Sequence, residues 1–425
     1  REISKQRLTN IFDLETQLFP CLIEMKFRGV SVDVERAHKL KKELSQQEEV
    51  LLSEVKKQTG IDVQIWAARS IAKVFDKLSL SYARTEKTNS PSFTKNFLST
   101  HNHPVVQSIA KAREINKAHT TFIDTILKHQ YRGRIHADIN PIRSDQGGTV
   151  TGRFSYSNPN LQQIPARNKD LGPMIRSLFI PEKNHKWGCF DYSQQEPRLV
   201  VHYAATTEPI SFDHSVSGMI DKFKDDAVDF HQIVADMANI SRTQAKTINL
   251  GLFYGMGKNK LQAELGLNTK EEAEKLFNKY HRNVPFVRDL MTYTSKIAQT
   301  SGSIGTLLGR RCRFDKWEPA KYGSWKPMTH EEAFAEHGPA IRRAFTYKAL
   351  NRLIQGSAAD QTKQAMVACY EEGLVPLLTV HDELCFNVES EKQASKITEI
   401  METSLPLKIP SKVDQELGEN WGEVG

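Results

Sequence analysis

The chain has 425 residues, 39% hydrophobic and 26% charged, enough for about three domains or one multi-lobed enzyme and too apolar for wholesale disorder. No uncharged apolar run approaches the ~20 residues of a membrane span, and a chain this long can bury a core without disulfide or metal staples. The formal net charge of +7 suits a polyanionic partner, although an ordinary basic enzyme carries as much. None of the five cysteines stands in a C-x-x-C pair, which argues against a zinc ribbon and for free thiols in a reducing compartment. The chain opens Arg1-Glu2-Ile3, with neither an initiator Met nor a signal-peptide pattern, and so reads as a fragment or a processed product.

Taken in order, residues 1–58 read as helical, with Leu14, Leu18, Leu22 and Met25 at helical spacing and a break at Gly29 before a short Val30–Asp33 run. An amphipathic stretch from Glu35 to Lys57 stops at Gly60. A turn-rich patch at 88–92 precedes a helix over 106–129, and strand and turn signals fill 133–165. Strands are predicted at Lys186–Tyr192 and within Leu374–Val388, with mostly helix over 215–370 between them.

Two segments look like walls of one metal site. In Trp187–Ser193 an apolar strand ends in Asp191, and Ser193 with Glu196 reads as a capping box opening a helix. In Leu377–Phe386 two apolar strands flank a polar His381-Asp382 turn, a tight hairpin. A carboxylate at each strand end suits hard divalent cations, which prefer oxygen ligands and can activate an attacking hydroxyl while neutralising a leaving oxygen. Either Asp alone reads more readily as a solvated turn residue, by about four to one, because Asp is a common turn former. Between the two segments, Ser241 and Gln244 form another capping box, and Arg242, Lys246, Leu250 and Tyr254 follow at intervals of four along one helical stripe. Two cations followed by an apolar and an aromatic side chain match a nucleoside triphosphate laid along the helix.

Together these stretches resemble family A DNA polymerases, most closely the phage-like branch. Asp191–Arg198 resembles motif A, Arg242–Gly255 motif B, and Val380–Glu383 motif C; Thr151–Ser155, Pro159–Pro165 and Gln355–Asp360 support the match in the same order. The resemblance implies an α+β right-hand polymerase fold with an antiparallel-sheet palm, helical fingers and helical thumb. Its expected divisions are 1–23, a helical lead-in left from an upstream domain; 24–132, thumb; 133–212 and 346–425, palm; and 213–345, fingers. It implies a template-directed DNA polymerase in which the primer 3′-hydroxyl attacks the α-phosphate of a deoxynucleoside triphosphate and pyrophosphate leaves, without proofreading in this chain.

By the same resemblance Asp191 and Asp382 bind two Mg²⁺ ions, for which Mn²⁺ can substitute, with the Tyr192 carbonyl assisting and Glu383 as a secondary carboxylate. Arg242, Lys246 and His231 bind the triphosphate, and Lys246 also protonates the pyrophosphate. Glu196, Tyr254, Gln194 and Leu250 complete the dNTP set. Arg153, Asn160, Gln162, Arg167, Asn351, Gln355 and His381 contact primer–template DNA, where minor-groove acceptors test pair geometry without reading sequence. Expected partners are primer–template DNA and dNTP, with replisome proteins or an upstream nuclease, helicase or primase domain as further candidates. A monomer in the cytoplasm of a bacterial or phage-infected cell, away from membranes, is expected.

The departures matter too. Leu250 stands where the family usually has Phe or Tyr, so Leu250→Phe is expected to change discrimination against dideoxynucleotides; equal chain-terminator incorporation by both proteins would contradict this. Tyr347 stands where many members carry Arg, with Lys348 or Arg352 as substitutes. Asp13-Leu14-Glu15 mimics an exonuclease D-x-E signature, a short motif with a high false-positive rate. Lys111, Arg113, Lys117, Lys128, Arg132 and Arg134 read either as a solvated face or, with the resemblance, as phosphate contacts. A single-subunit RNA polymerase and a catalytically dead DNA-binding subunit are the rival readings; Glu196 and Glu383 argue against the first, and the joint presence of Asp191, Asp382, Arg242 and Lys246 against the second.

Overall fold

The computed structural model describes residues 2–144, 147–165, 168–224, 229–253, 256–321, 323 and 325–424. The chain divides into two compact units: 1–27, 139–156 and 189–416 in one, and 28–138, 157–188 and 417–425 in the other.

Most of a four-stranded sheet lies in the first unit. Its strands are β1 (Lys186–Tyr192), β2 (Leu378–Val380), β3 (Glu383–Val388) and β4 (Val413–Gly418), in the spatial order β2-β3-β1-β4. Residues 187–190 of the inner strand β1 are all buried, the near-continuous apolar pattern of a strand covered on both faces. β2 and β3 pair antiparallel with Val380 opposite Glu383, so His381 and Asp382 alone make the turn, as the sequence predicts. His381 takes the left-handed conformation (φ 58°) that such turns require at a central position.

Five helices of this unit matter for the site: α1 (Thr9–Arg28), α2 (Gln195–Thr206), α3 (Phe230–Ala238), α4 (Arg242–Phe253) and α5 (Ala349–Glu371). Leu199 and Val200 of α2, Phe230 and Val234 of α3, and Ala245 and Ile248 of α4 share one buried core with Tyr280, Phe286 and Leu350. The Ser241–Gln244 capping box is present: the Gln244 amide donates to Ser241 Oγ at 3.2 Å and the Ser241 amide to Gln244 Oε1 at 3.0 Å. The Ser193–Glu196 box is not. Gln194 precedes α2 in the left-handed conformation (φ 54°) without a side-chain cap, and Glu196 turns instead to Arg153.

In the second unit the predicted helix after Asp33 runs over Val34–Thr59, with Asp33 accepting from the Arg36 amide and Gly60 closing it at φ 73°. The helix predicted over 106–129 is Pro104–Lys117, a π-helical stretch Ala118–Ile123 and Asp124–His129. Val55, Ile71, Phe75, Val106 and Ile109 form the core beneath these helices. Three of the six basic residues offered to phosphates make hydrogen bonds or ion pairs within the protein. Arg113 donates to the carbonyls of Ile65 (2.5 Å) and Phe93 (3.1 Å), Arg134 pairs with Glu182 at 2.7 Å, and Lys111 with Asp170 at 3.3 Å. Arg113 is therefore a structural residue that fastens backbone, because a planar guanidinium satisfies several carbonyls at once.

Candidate active site

The site begins where β1 ends. The Tyr192 amide donates to the Asp382 carbonyl at 3.4 Å, which sets the end of β1 beside the β2–β3 turn and brings Asp191 and Asp382 together. The buried Tyr192 ring anchors this strand end, its hydroxyl donating to the Met401 carbonyl at 2.6 Å. The Ser193 amide donates to the Lys412 carbonyl at 2.9 Å, and Arg198 reaches back to the carbonyls of Ser193 (3.0 Å) and Pro410 (2.6 Å). The Asp191–Arg198 stretch thus fastens its own turn, with Arg198 a scaffold residue.

The electrostatics are those of crowded carboxylates. Asp191 is exposed to solvent near the end of the buried strand β1, yet the surrounding protein still desolvates its carboxyl. Burial first, then Asp382, Glu383, Asp414 and Glu416, push its carboxyl up to about 8. Burial also raises Asp382, against the opposing pull of Arg153 and His381. Asp414 and Glu416, on β4 next to β1, were not singled out from the sequence; their signal is an acidic pair in a strand whose other acidic neighbours become visible only once the sheet is assembled. A cluster of oxygen donors in which burial and neighbouring carboxylates hold a proton on Asp191 at neutral pH fits hard divalent cations, which would replace that proton.

Across this cluster, Glu196 pairs with Arg153 at 2.6 Å; burial raises its carboxyl, opposed by Arg153 and reinforced by Asp382. Arg153, read as a DNA contact, thus already has an acidic partner here. Gln194 Oε1 accepts from the Phe230 amide at 2.6 Å, so this residue, read as part of the dNTP set, ties the motif A turn to the start of α3.

On α3 and α4 the cations converge. Asp229 caps α3 through the amides of His231 (2.9 Å) and Gln232 (3.2 Å), and its other oxygen accepts from Arg242 Nε at 2.6 Å. Burial pulls the Asp229 carboxyl up, but Arg242 and the capping amides outweigh it and hold it below the usual range. His231 is buried, and Asn249 Nδ2 donates to its Nδ1 at 2.9 Å while Asn249 Oδ1 accepts from the Tyr280 hydroxyl at 2.7 Å. This relay makes Nδ1 an acceptor and leaves the proton on Nε2. Burial first, then the neighbouring Lys246 and Arg242, favour the neutral ring, with Asp229 opposing. Lys246 is exposed one turn beyond Arg242, so His231, Arg242 and Lys246 form one electropositive patch. Asn249 and Tyr280, missed in the sequence, position His231.

Asn351 and Gln355 lie one turn apart on α5, both half-exposed. Asn160 and Gln162 belong to the second unit, where the Asn160 side chain caps the turn at Leu161–Gln163 by accepting from the Gln162 amide at 3.1 Å. Arg167, Tyr254 and the side chain of Leu250 lie outside the described residues. Tyr347 is exposed, and Arg352 donates to the Arg313 carbonyl at 2.8 Å.

The D-x-E signature resolves structurally. Glu15, on α1, accepts from Lys363 at 2.6 Å and from Arg310 at 2.5 Å, and Arg310 also pairs with the fully buried Asp360 at 2.8 Å. Gly152 (φ 83°) lies against the Arg310 side chain: a Cβ there would come within 2.6 Å of Arg310 Nε. The Thr151-Gly152-Arg153 run therefore needs a glycine both for its backbone and for this close approach.

With this geometry in hand, similarity to known proteins is informative. The profile of DNA polymerase family A matches residues 34–423. A DNA-directed DNA polymerase of Pseudomonas phage M6 is 35% identical over 99% of this chain and 67% of its own length. The thermostable DNA polymerase I of Thermus filiformis is 33% identical over 99% of this chain. The chain spans about half (49%) of the length of that Thermus relative. The POL domain of Pol1 from M. smegmatis, solved in complex with DNA primer-template and dNTP, superposes with a TM-score of 0.79 at 27% identity, over 99% of this chain and 72% of that one.

Proposed function

The chain belongs to DNA polymerase family A, and from that premise we propose that it extends a primer 3′ end by template-directed addition of deoxynucleotides at the site just described. The observation that carries this reading is the Asp191–Asp382 juxtaposition, in which one backbone hydrogen bond joins two strand ends bearing carboxylates that burial raises, Asp191 further raised by Asp382. Asp191, Asp382 and the Tyr192 carbonyl are the proposed ligands of two Mg²⁺ ions, with Glu383, Asp414 and Glu416 supplying further negative charge. Bound there, such ions supply activation of the attacking hydroxyl and neutralisation of the leaving oxygen.

The chain's own residues do the rest. Arg242, Lys246 and His231 bind the triphosphate, and Lys246 is placed to donate a proton to pyrophosphate. The neutral His231, its Nδ1 engaged by Asn249, offers Nε2–H as a donor to phosphate oxygen. Glu196 and Tyr254 close the space beside the sugar 2′ position. We assign palm and fingers to the first compact unit and thumb to the second. Arg153, Asn160, Gln162, Arg167, Asn351, Gln355 and His381 are the proposed DNA contacts, and positioning with charge neutralisation supplies most of the rate enhancement.

The test is primer extension with Mg²⁺, comparing dNTP with rNTP. Strong preference for dNTP is expected; equal use of rNTP would replace this reading with an RNA polymerase, and no extension at all would favour an accessory DNA-binding role. Arg242→Ala should raise the dNTP KM by roughly 10-fold or more, since a hydrogen bond to a charged group contributes about 1.5–3 kcal/mol. Tyr280→Phe removes the hydroxyl that orients Asn249; steady-state kinetics should show a several-fold rise in dNTP KM with kcat little changed.

A further inference from the structure

Behind the acidic cluster lies a group of ligands of a different chemical character. Cys189 on β1 and Cys385 on β3 are buried on neighbouring strands with their sulfurs 3.7 Å apart. Glu383 Oε1 lies 3.2 Å from Cys385 Sγ, and all three ligand atoms fall within 4.8 Å of one another. A tetrahedral Zn²⁺ with bonds of about 2.3 Å to sulfur and about 2.1 Å to oxygen sets two sulfurs about 3.8 Å apart and sulfur and oxygen about 3.6 Å apart. The sulfur pair already has that spacing, the Cys385–Glu383 pair needs a shift of only a few tenths of an ångström, and the Cys189–Glu383 pair, within 4.8 Å, closes by about 1 Å at most through rotation of the Glu383 side chain. Both thiols lie inside the sheet, whereas Glu383 is half-exposed, so an ion can enter from the carboxylate side and keep a water as its fourth ligand.

We propose that Cys189, Cys385 and Glu383 form a second cation site, selective for a thiophilic divalent ion of the zinc class, and that filling it inhibits the neighbouring centre by drawing Glu383 out of the acidic cluster. Binding breaks two S–H bonds and all but one of the ion's metal–water bonds, forms two metal–sulfur bonds and one metal–carboxylate bond, and releases two protons and the displaced waters to solvent without redox change. The charge of the ion cancels that of the two thiolates, so the buried pair and its metal are together neutral, which limits the cost of burial. Hard Mg²⁺ does not compete for sulfur, so the two sites sort ions by ligand softness. The inhibition rests on the polymerase reading above; the binding does not.

The test uses the reduced 425-residue chain with Co²⁺ as a spectroscopic probe. One Co²⁺ per chain should give the thiolate-to-metal absorption and visible bands of a tetrahedral site, displaced by Zn²⁺, and both should vanish in Cys189→Ser and in Cys385→Ala. Each variant should keep parental extension in Mg²⁺, and if one fails to fold the other decides. Micromolar Zn²⁺ at saturating Mg²⁺ should slow the parent by about 10-fold or more, as disturbance of a ligand's surroundings typically does, and leave the folded variants unaffected. Absence of the thiolate band, or its persistence in a folded variant, would overturn the site. A band that forms while extension is equally zinc-sensitive in parent and variants would overturn the inhibition. If the parent extends no primer, the polymerase reading fails while the Co²⁺ band still decides the site.

Discussion

Asp191→Asn is expected to abolish primer extension and, in metal-free buffer, to raise the melting temperature of the protein. The two effects have one cause. In the folded chain the Asp191 carboxyl is pushed up to about 8 by burial and by four acidic neighbours, whereas in the unfolded chain it returns to an ordinary carboxylate value. The folded state therefore binds more protons than the unfolded state between about pH 4 and pH 8, and stability falls as pH rises through that window. Asn carries no charge to repel, so the gain in melting temperature over the parent should be small near pH 4 and grow towards pH 8. Adding Mg²⁺ should reverse the order by stabilising the parent and not the variant. Loss of a metal ligand removes several kcal/mol of transition-state stabilisation, so activity should fall by about 10³-fold or more. Thermal denaturation of both proteins across pH, with and without Mg²⁺, checks the account; a variant less stable than its parent at pH 8 without metal would contradict the electrostatic half.

The second large effect is structural. Arg310→Met should destabilise the protein by about 3–5 kcal/mol, the usual penalty for leaving a buried charge without its partner. Arg310 joins the fully buried Asp360 to Glu15; although burial disfavours its charge, these two carboxylates more than compensate and hold its proton more tightly than usual. Lys363 shares Glu15 but is less well compensated: burial, reinforced by Arg310, lowers it to about 8. Lys363→Met should therefore destabilise the chain less than Arg310→Met. Urea denaturation of the two variants measures the difference, and equal or reversed losses would contradict this ranking.

What could be read from the sequence was local. The strand Lys186–Tyr192 that carries Asp191, the two-residue His381-Asp382 turn and the Ser241 capping box depend on neighbours within a few residues, and each stands in the structure as predicted. What could not be read depends on segments brought together from afar. Asp414 and Glu416 join the acidic cluster only because β4 lies beside β1. Glu15 resembles a nuclease signature until Arg310 and Lys363 arrive from roughly 300 residues away in sequence. Ser193 looks like a cap, yet the left-handed Gln194 and its bond to the Phe230 amide set the start of α2. Arg113 looks like a phosphate contact because its carbonyl partners lie 48 and 20 residues away. The motifs mark the chemistry, while the scaffold that orients it is written in non-local pairs.

The central claim is that Asp191 and Asp382 together hold the catalytic cations. It is tested most directly by single-turnover primer extension with Asp382→Asn, measured alongside its affinity for the same primer–template. Extension reduced by about 10³-fold or more with DNA affinity unchanged is the predicted result. Extension at the parental rate, from a protein that binds DNA equally well, would contradict it.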